Sequence, residues 1–321
     1  MGSLLGRALL SGYGREHELE ADRLGAEYLA RTAYDPGAML DVIRVLKNQE
    51  VFEVHRARAE GRQPQVYHGL FSTHPDNDTR LQEVISYADK IKPAASTYSG
   101  RDTYLGHIEG LAYGDGEHEG IVRGQEFYHG KLGIYLRFPD GWKIDNRSNN
   151  LTAVAADANA LIQLALKPAE PGLSPRAFML KGMGLTTLSN ESTFAAGSHP
   201  AHTGIATINT STGGRLARIT VINHQNNVLI LAGISKDPQA IGRYDGIFLN
   251  TAKSLRSLTQ AERLRAQPLR LKMIRAEKNS RHRDLAGDSG LDDYPEAQSR
   301  LLNGAYPAGE PQPGEIIKTI H

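Results

Sequence analysis

Up to residue 92 the apolar positions recur at helical spacing, and beyond residue 104 they alternate. Glu16 to Arg31 is rich in Glu, Leu and Ala, lacks Pro and has only Gly25 as a breaker, which predicts a helix. Asp35-Pro36 is a helix start, with Asp as N-cap and Pro at the first helical position. Met39, Ile43 and Leu46, with Val42 beside them and Glu50 continuing the spacing, form the stripe of the helix that follows. Another start is expected at His74-Pro75-Asp76, with Leu81, Val84, Ile85 and Ala88 as its buried face. Gly61 to Thr73 between these helices is an aromatic-bearing loop.

Lys92 to Gly100 (KPAASTYSG) has linker composition, and we place a linker over 93–104. Alternation then predicts strands at Leu132 to Phe138 and, after the Asp140-Gly141 turn, at Trp142 to Asp145. Further strands are expected at Ala160 to Leu166, Gly204 to Asn209, Leu216 to Asn223 and Val228 to Ile234, and helices at Ser174 to Leu185 and Pro238 to Leu255. Strands with one or two covering helices make residues 105–257 an α+β domain. Residues 268–321 read as a third unit. It runs from a strand at Leu269 to Ala276, through helices near His282 to Gly290 and Pro295 to Asn303, to a closing strand at Glu315 to Ile320. No internal repeat interrupts this order.

Composition narrows the classes. Lys+Arg 37 against Asp+Glu 36 leaves a net charge of +1, so no nucleic-acid partner is suggested globally. No apolar run approaches the roughly 18–20 residues of a membrane span. The absence of Cys excludes disulfides, thiolate zinc sites and a cysteine nucleophile, and is compatible with cytoplasm or periplasm. Met1 to Ser11 has one Arg, no cleavage site and too short a core for a signal peptide. Gly6 stands where myristoylation wants Ser or Thr. The opening runs straight into motif territory, so the chain reads as part of a longer one.

Glu18 and Asp22 are the sharpest chemical feature. A spacing of four puts both carboxylates on one helix face, where like charges repel. Glu20 points about 200° away, at about 100° per residue. A solvated acidic face, with Arg15 and Arg23 as neighbours, is the plain alternative.

Gly12 to Gly25 (GYGREHELEADRLG) resembles the second motif block of the HtpX- and BepA-like zinc metallopeptidases, relatives of the prenyl-protein protease. The resemblance implies Glu18 as the third zinc ligand and Asp22 as the carboxylate that holds a ligand imidazole, the kind of support such ligands need. Phe71 to Arg80 (FSTHPDNDTR) is similar to the family's S-T-H-P…R segment. It implies His74 as a switch ligand for zinc's open position and Arg80 as a group orienting carboxylates near the cleft. Only the downstream part of the family pattern is present. H-E-x-x-H is absent, because Ala21 and Val122 stand where a second His would follow His17-Glu18 and His118-Glu119.

Phe138 to Trp142 (FPDGW) with the strands after it resembles PsbP-like domains, with Trp142 as a core anchor. Arg300 to Gly304 (RLLNG) and Pro311 to Ile320 (PQPGEIIKTI) resemble the second half of a LysM repeat, although Glu277 to Ser280 replaces the usual P-G-D-T. Ten Lys/Arg between Lys253 and Arg283, against Glu262 and Glu277, form either a solvated basic face or a contact for anionic envelope surfaces. His68 is expected near a cleft, and His107, His118, His129, His199, His202 and His224 as ordinary hydrogen-bonded or surface residues.

The resemblances together imply an α+β chain of three parts: the helical half of a gluzincin-type protease domain (1–92), the PsbP-like domain (105–257) and a βααβ LysM-like module (268–321). They imply part of a zinc-dependent metalloendopeptidase of periplasmic, envelope protein quality control. Its substrates would be unfolded or misassembled envelope proteins, and its tail could touch peptidoglycan. The chain alone is expected to be inactive and without zinc. A non-catalytic, chaperone-like envelope protein is the alternative.

Overall fold

The computed structural model describes residues 15–64, 87, 90, 98–147, 150–210, 213–287, 289–291 and 293–321, with backbone alone at 15, 16, 18 and 210. The chain divides into two compact units, residues 1–111 with 270–321 and residues 112–269.

In the first unit, α1 (Arg15–Arg31) and α2 (Ala38–Ala59) follow the predicted periodicity. Ala33 at φ 65° turns the chain between them, and α2 starts two residues later than expected. Gly37, not Asp35, is its N-cap, because the Asp35 carboxylate accepts the Gly37 N–H at 2.9 Å in a turn ahead of the helix. The helices approach through Gly25, where a Cβ would stand 3.1 Å from the Met39 sulfur. Ile43, Phe52 and Ala57 are buried along α2, whereas Val42, expected beside the stripe, is half exposed. The last four residues of the segment expected as a linker open α3 (Arg101–Ile108), which Gly100 introduces at φ 62° and which runs on into residues expected in the α+β domain. A left-handed Gly makes that abrupt entry possible.

The chain then enters the second unit through β1 (Ala112–Tyr113). β2 (Ile121–Arg123), β3 (Glu126–His129) and β4 (Ile134–Arg137) follow, then β5 (Lys143–Arg147), β6 (Asn150–Val154) and β7 (Ala160–Pro168). A turn of α-helix at Pro175–Ala177 widens to a π-turn at Phe178–Gly182, shorter than the helix expected over 174–185. β8 (Ser189–Ala196), β9 (His199–Thr210), β10 (Gly213–His224) and β11 (Asn227–Ser235) precede α4 (Ile241–Lys253). β12 (Arg256–Ser257) and α5 (Gln260–Arg265) end the unit. β5-β6-β7-β11-β10-β9-β8 form one antiparallel sheet and β12-β4-β3-β2 another. One core lies under α4, where Trp142 meets Tyr244 and Phe248 edge-on at 6.5 and 6.4 Å. A second core lies under the 175–182 turn. The fold is α+β as expected, with β1, β2, β3, β6, β8 and β12 added.

Back in the first unit, β13 (Leu269–Arg275) pairs antiparallel with β14 (Ile316–Ile320), Leu271 opposite Ile320. α6 (His282–Gly287) and α7 (Pro295–Leu302) lie between them in sequence, so the strand–helix–helix–strand order is present. The L-N-G motif closes it. The Asn303 amide accepts from Lys318 N–H and donates to Lys318 C=O, both at 2.8 Å, while Gly304 turns at φ 70°. This segment packs on α2. Phe52 lies edge-on to Tyr294 and Tyr306 at 5.9 and 5.7 Å, and His55 Nδ1 is 2.7 Å from the Tyr306 hydroxyl.

Candidate functional site

α1 places Asp22 one turn after Glu18 and one turn before Ala26. Asp22 is 4% exposed and Ala26 0%, whereas Ala21, Arg23 and Leu24 beside them are exposed. The Asp22–Ala26 line of the helix therefore faces the interior, and a solvated acidic face does not describe Asp22. A carboxylate withdrawn from water is costly unless it is held by other groups. Arg23 turns outward, its guanidinium carbon 5.8 Å from the centre of the Tyr87 ring.

His68, His74 and Arg80 lie outside the described residues. A zinc ion with an open position takes three protein ligands. Among the described residues no group of three or more His, Cys, Asp or Glu could hold a metal. α1 offers carboxylates and the exposed imidazole of His17, and among the described residues these do not come together as a three-ligand set.

Several members of the basic run are engaged within the chain. Arg256 is paired with Glu262 at 2.6 Å and Arg265 with Glu126 at 3.2 Å. Arg270 and Arg275 donate to Gly110 and Gly314 carbonyls at 2.8 and 2.7 Å. Glu262 is held down to about 2 by Arg256, with the Thr259 N–H and hydroxyl also donating to it.

The remaining histidines separate by strand position rather than spacing. His107 and His118 are exposed. His202 is buried between Thr193 at 2.8 Å and Glu191 at 2.9 Å, and Arg176 with His202 holds the Glu191 carboxyl at about 2. His199 and His224 stack edge to face with centroids 4.7 Å apart. Sequence spacing missed that pair, 25 residues apart. The usable signal was the β9–β10 hairpin, in which positions summing to 423 face each other, as Ala201 faces Ile222.

Residues 2–88 match Peptidase family M48, so the amino-terminal resemblance to metallopeptidases holds over that segment. Over 120 residues the chain is 30% identical to the beta-barrel assembly-enhancing protease of Escherichia coli K12, covering 37% of this chain and 22% of that protein. The protein of the same name from Shigella flexneri matches to the same extent. The chain thus spans about a fifth of the length of these relatives. Among solved structures, PsbP of the cyanobacterium Synechocystis is 13% identical, covering 46% of this chain and 98% of its own, at a TM-score of 0.32. LpqN of Mycobacterium tuberculosis, involved in cell envelope biogenesis, is 14% identical, covering 39% and 83%, at a TM-score of 0.29. No described helix is long and apolar enough to cross a membrane.

Proposed function

We propose that these 321 residues carry the downstream part of a zinc metalloendopeptidase acting in periplasmic protein quality control, and do not hydrolyse peptides by themselves. The burial of Asp22 carries this reading, because a carboxylate that supports a ligand imidazole is turned into the protein. In this reading Glu18 is the carboxylate donor to zinc, Asp22 supports a ligand imidazole, and His74 and Arg80 belong to the same cleft. The two imidazoles and the general-base Glu of H-E-x-x-H are not among these residues. Unfolded or misassembled envelope proteins are the substrates. The 268–321 segment is LysM-like, with peptidoglycan as its candidate contact.

Two measurements test this. The purified chain should leave casein intact, and chelator-sensitive turnover that survives rigorous purification would refute it. In a chain that also contains H-E-x-x-H, Glu18→Gln should lose zinc, since an amide is a poorer donor than a carboxylate. Asp22→Asn should weaken zinc binding about 10–100-fold. Equal zinc content in wild type and Glu18→Gln removes Glu18 from the site.

A further inference from the structure

In the second unit, Ser257, His199 and His224 form a hydrogen-bonded line whose direction is set by a backbone carbonyl. His224 is 3% exposed, and its Nε2 lies 2.7 Å from the Leu132 oxygen. A carbonyl only accepts, so Nε2 carries the proton. A neutral imidazole has one N–H, so Nδ1 of His224 presents a lone pair. Nδ1 of His199, 3.4 Å away, is therefore the donor. That leaves the His199 lone pair on Nε2, 3.2 Å from the hydroxyl of Ser257, an exposed residue. The line thus runs from the interior to the surface and ends on a nucleophile.

The scaffold holds both ends. Ser257 pairs with Ile134, and the Leu258 N–H donates to the Gly133 carbonyl at 2.8 Å. The residue before Gly133, Leu132, anchors His224. One short stretch of backbone therefore fixes the serine and the far imidazole together, while the β9–β10 hairpin brings His199 between them. A hydroxyl facing the free nitrogen of an imidazole, whose other nitrogen is oriented by a third group, is the arrangement that activates serine.

We propose that Ser257 is a nucleophile that accepts an acyl group from activated esters, with His199 as its general base and His224 as the positioning residue. In this step a bond forms between Ser257 Oγ and the acyl carbon, and the ester C–O bond breaks. The serine proton passes to His199 Nε2 and from there to the departing alkoxide or phenoxide. No residue of the α1 motif takes part, so this chemistry stands or falls separately from the peptidase reading.

The test is acetylation of the full chain by 4-nitrophenyl acetate at neutral pH, followed by nitrophenolate release and by peptide mass mapping. Wild type should release about one equivalent in a burst, with the acetyl group on Ser257. Ser257→Ala should lose the burst. His199→Ala should slow acetylation of Ser257 by about 10²-fold, the scale of a lost general base. His224→Ala should slow it as well. His224→Gln should restore it, because the Gln amide can accept from His199 and donate to Leu132 as the imidazole does. Trp142 fluorescence checks folding in each variant, and His199→Asn replaces the alanine variant if that one unfolds. Acetylation of Ser257 no faster in wild type than in a folded His199 variant overturns the proposal. So does a His224→Gln protein that reacts no faster than His224→Ala at equal stability.

Discussion

Removing the Asp245 carboxylate strands a guanidinium with almost no access to water. Arg218 projects from β10 with its side chain 4% exposed and donates to both Asp245 oxygens of α4, at 2.6 and 2.7 Å, and to the Asn190 carbonyl at 2.9 Å. Breaking a buried pair by deleting one partner costs about 3–5 kcal/mol, because the other charge is left uncompensated. The Asp245 side chain is itself 27% exposed. Water can enter when it is truncated, which places Asp245→Ala at the low end, about 3 kcal/mol. With a urea slope of about 2 kcal/mol per molar, the midpoint should fall by about 1.5 M. Trp142, the single tryptophan, reports this directly, since it packs on Tyr244 and Phe248 of the helix that carries Asp245. Replacing both partners by apolar residues, Arg218→Met with Asp245→Leu, should recover most of the loss, since no buried charge remains. A loss below about 1 kcal/mol for Asp245→Ala, or a double variant no more stable than the single one, refutes the reasoning.

Phe52→Ala removes the ring held between Tyr294 and Tyr306 and should cost the first unit about 3–5 kcal/mol. Limited proteolysis within 270–321 should then quicken, and an unchanged rate means the segment is held without Phe52. Asn303→Ala leaves the Lys318 N–H and C=O without their bridge and should cost about 2–3 kcal/mol, read as a lower melting temperature. His199 is pushed below its ordinary range chiefly by burial, which disfavours the charged ring. The folded state therefore prefers the neutral ring. Its contribution is intact above the unfolded value of about 6.5 and is lost as pH falls from there through the folded value. The urea midpoint followed by Trp142 should drop as pH falls below about 6.5, less so in His199→Asn; equal drops in both proteins exclude His199 as the cause.

The elements legible in the sequence are those that local chemistry decides. α1 and α2 follow from helical spacing and the Asp35 turn, and β13 to β14 follow from alternation with L-N-G and P-G as punctuation. β9, β10 and β11 were visible because their alternating residues serve a sheet with two covered faces. β8 was not, since Ser189 to Thr193 at the sheet edge are all exposed and carry no apolar rhythm. The two-residue turn at Gly124 between β2 and β3 was likewise too short to announce a hairpin.

The site divides along the same line. Spacing alone put Glu18 and Asp22 on one face of a helix, because a helix repeats every 3.6 residues wherever it sits. Spacing could not say whether that face meets water, and the packing of α1 on α2 through Gly25 and Met39 belongs to the tertiary structure, as does the 4% exposure of Asp22. The docking of Phe52 between Tyr294 and Tyr306 joins residues some 250 positions apart, and no local rule relates them. The line from Ser257 through His199 to His224 depends on hairpin register and on one carbonyl at Leu132. Helix and strand periods are properties of neighbouring residues, whereas burial, register and the direction of a hydrogen bond are set by whatever the folded chain brings alongside.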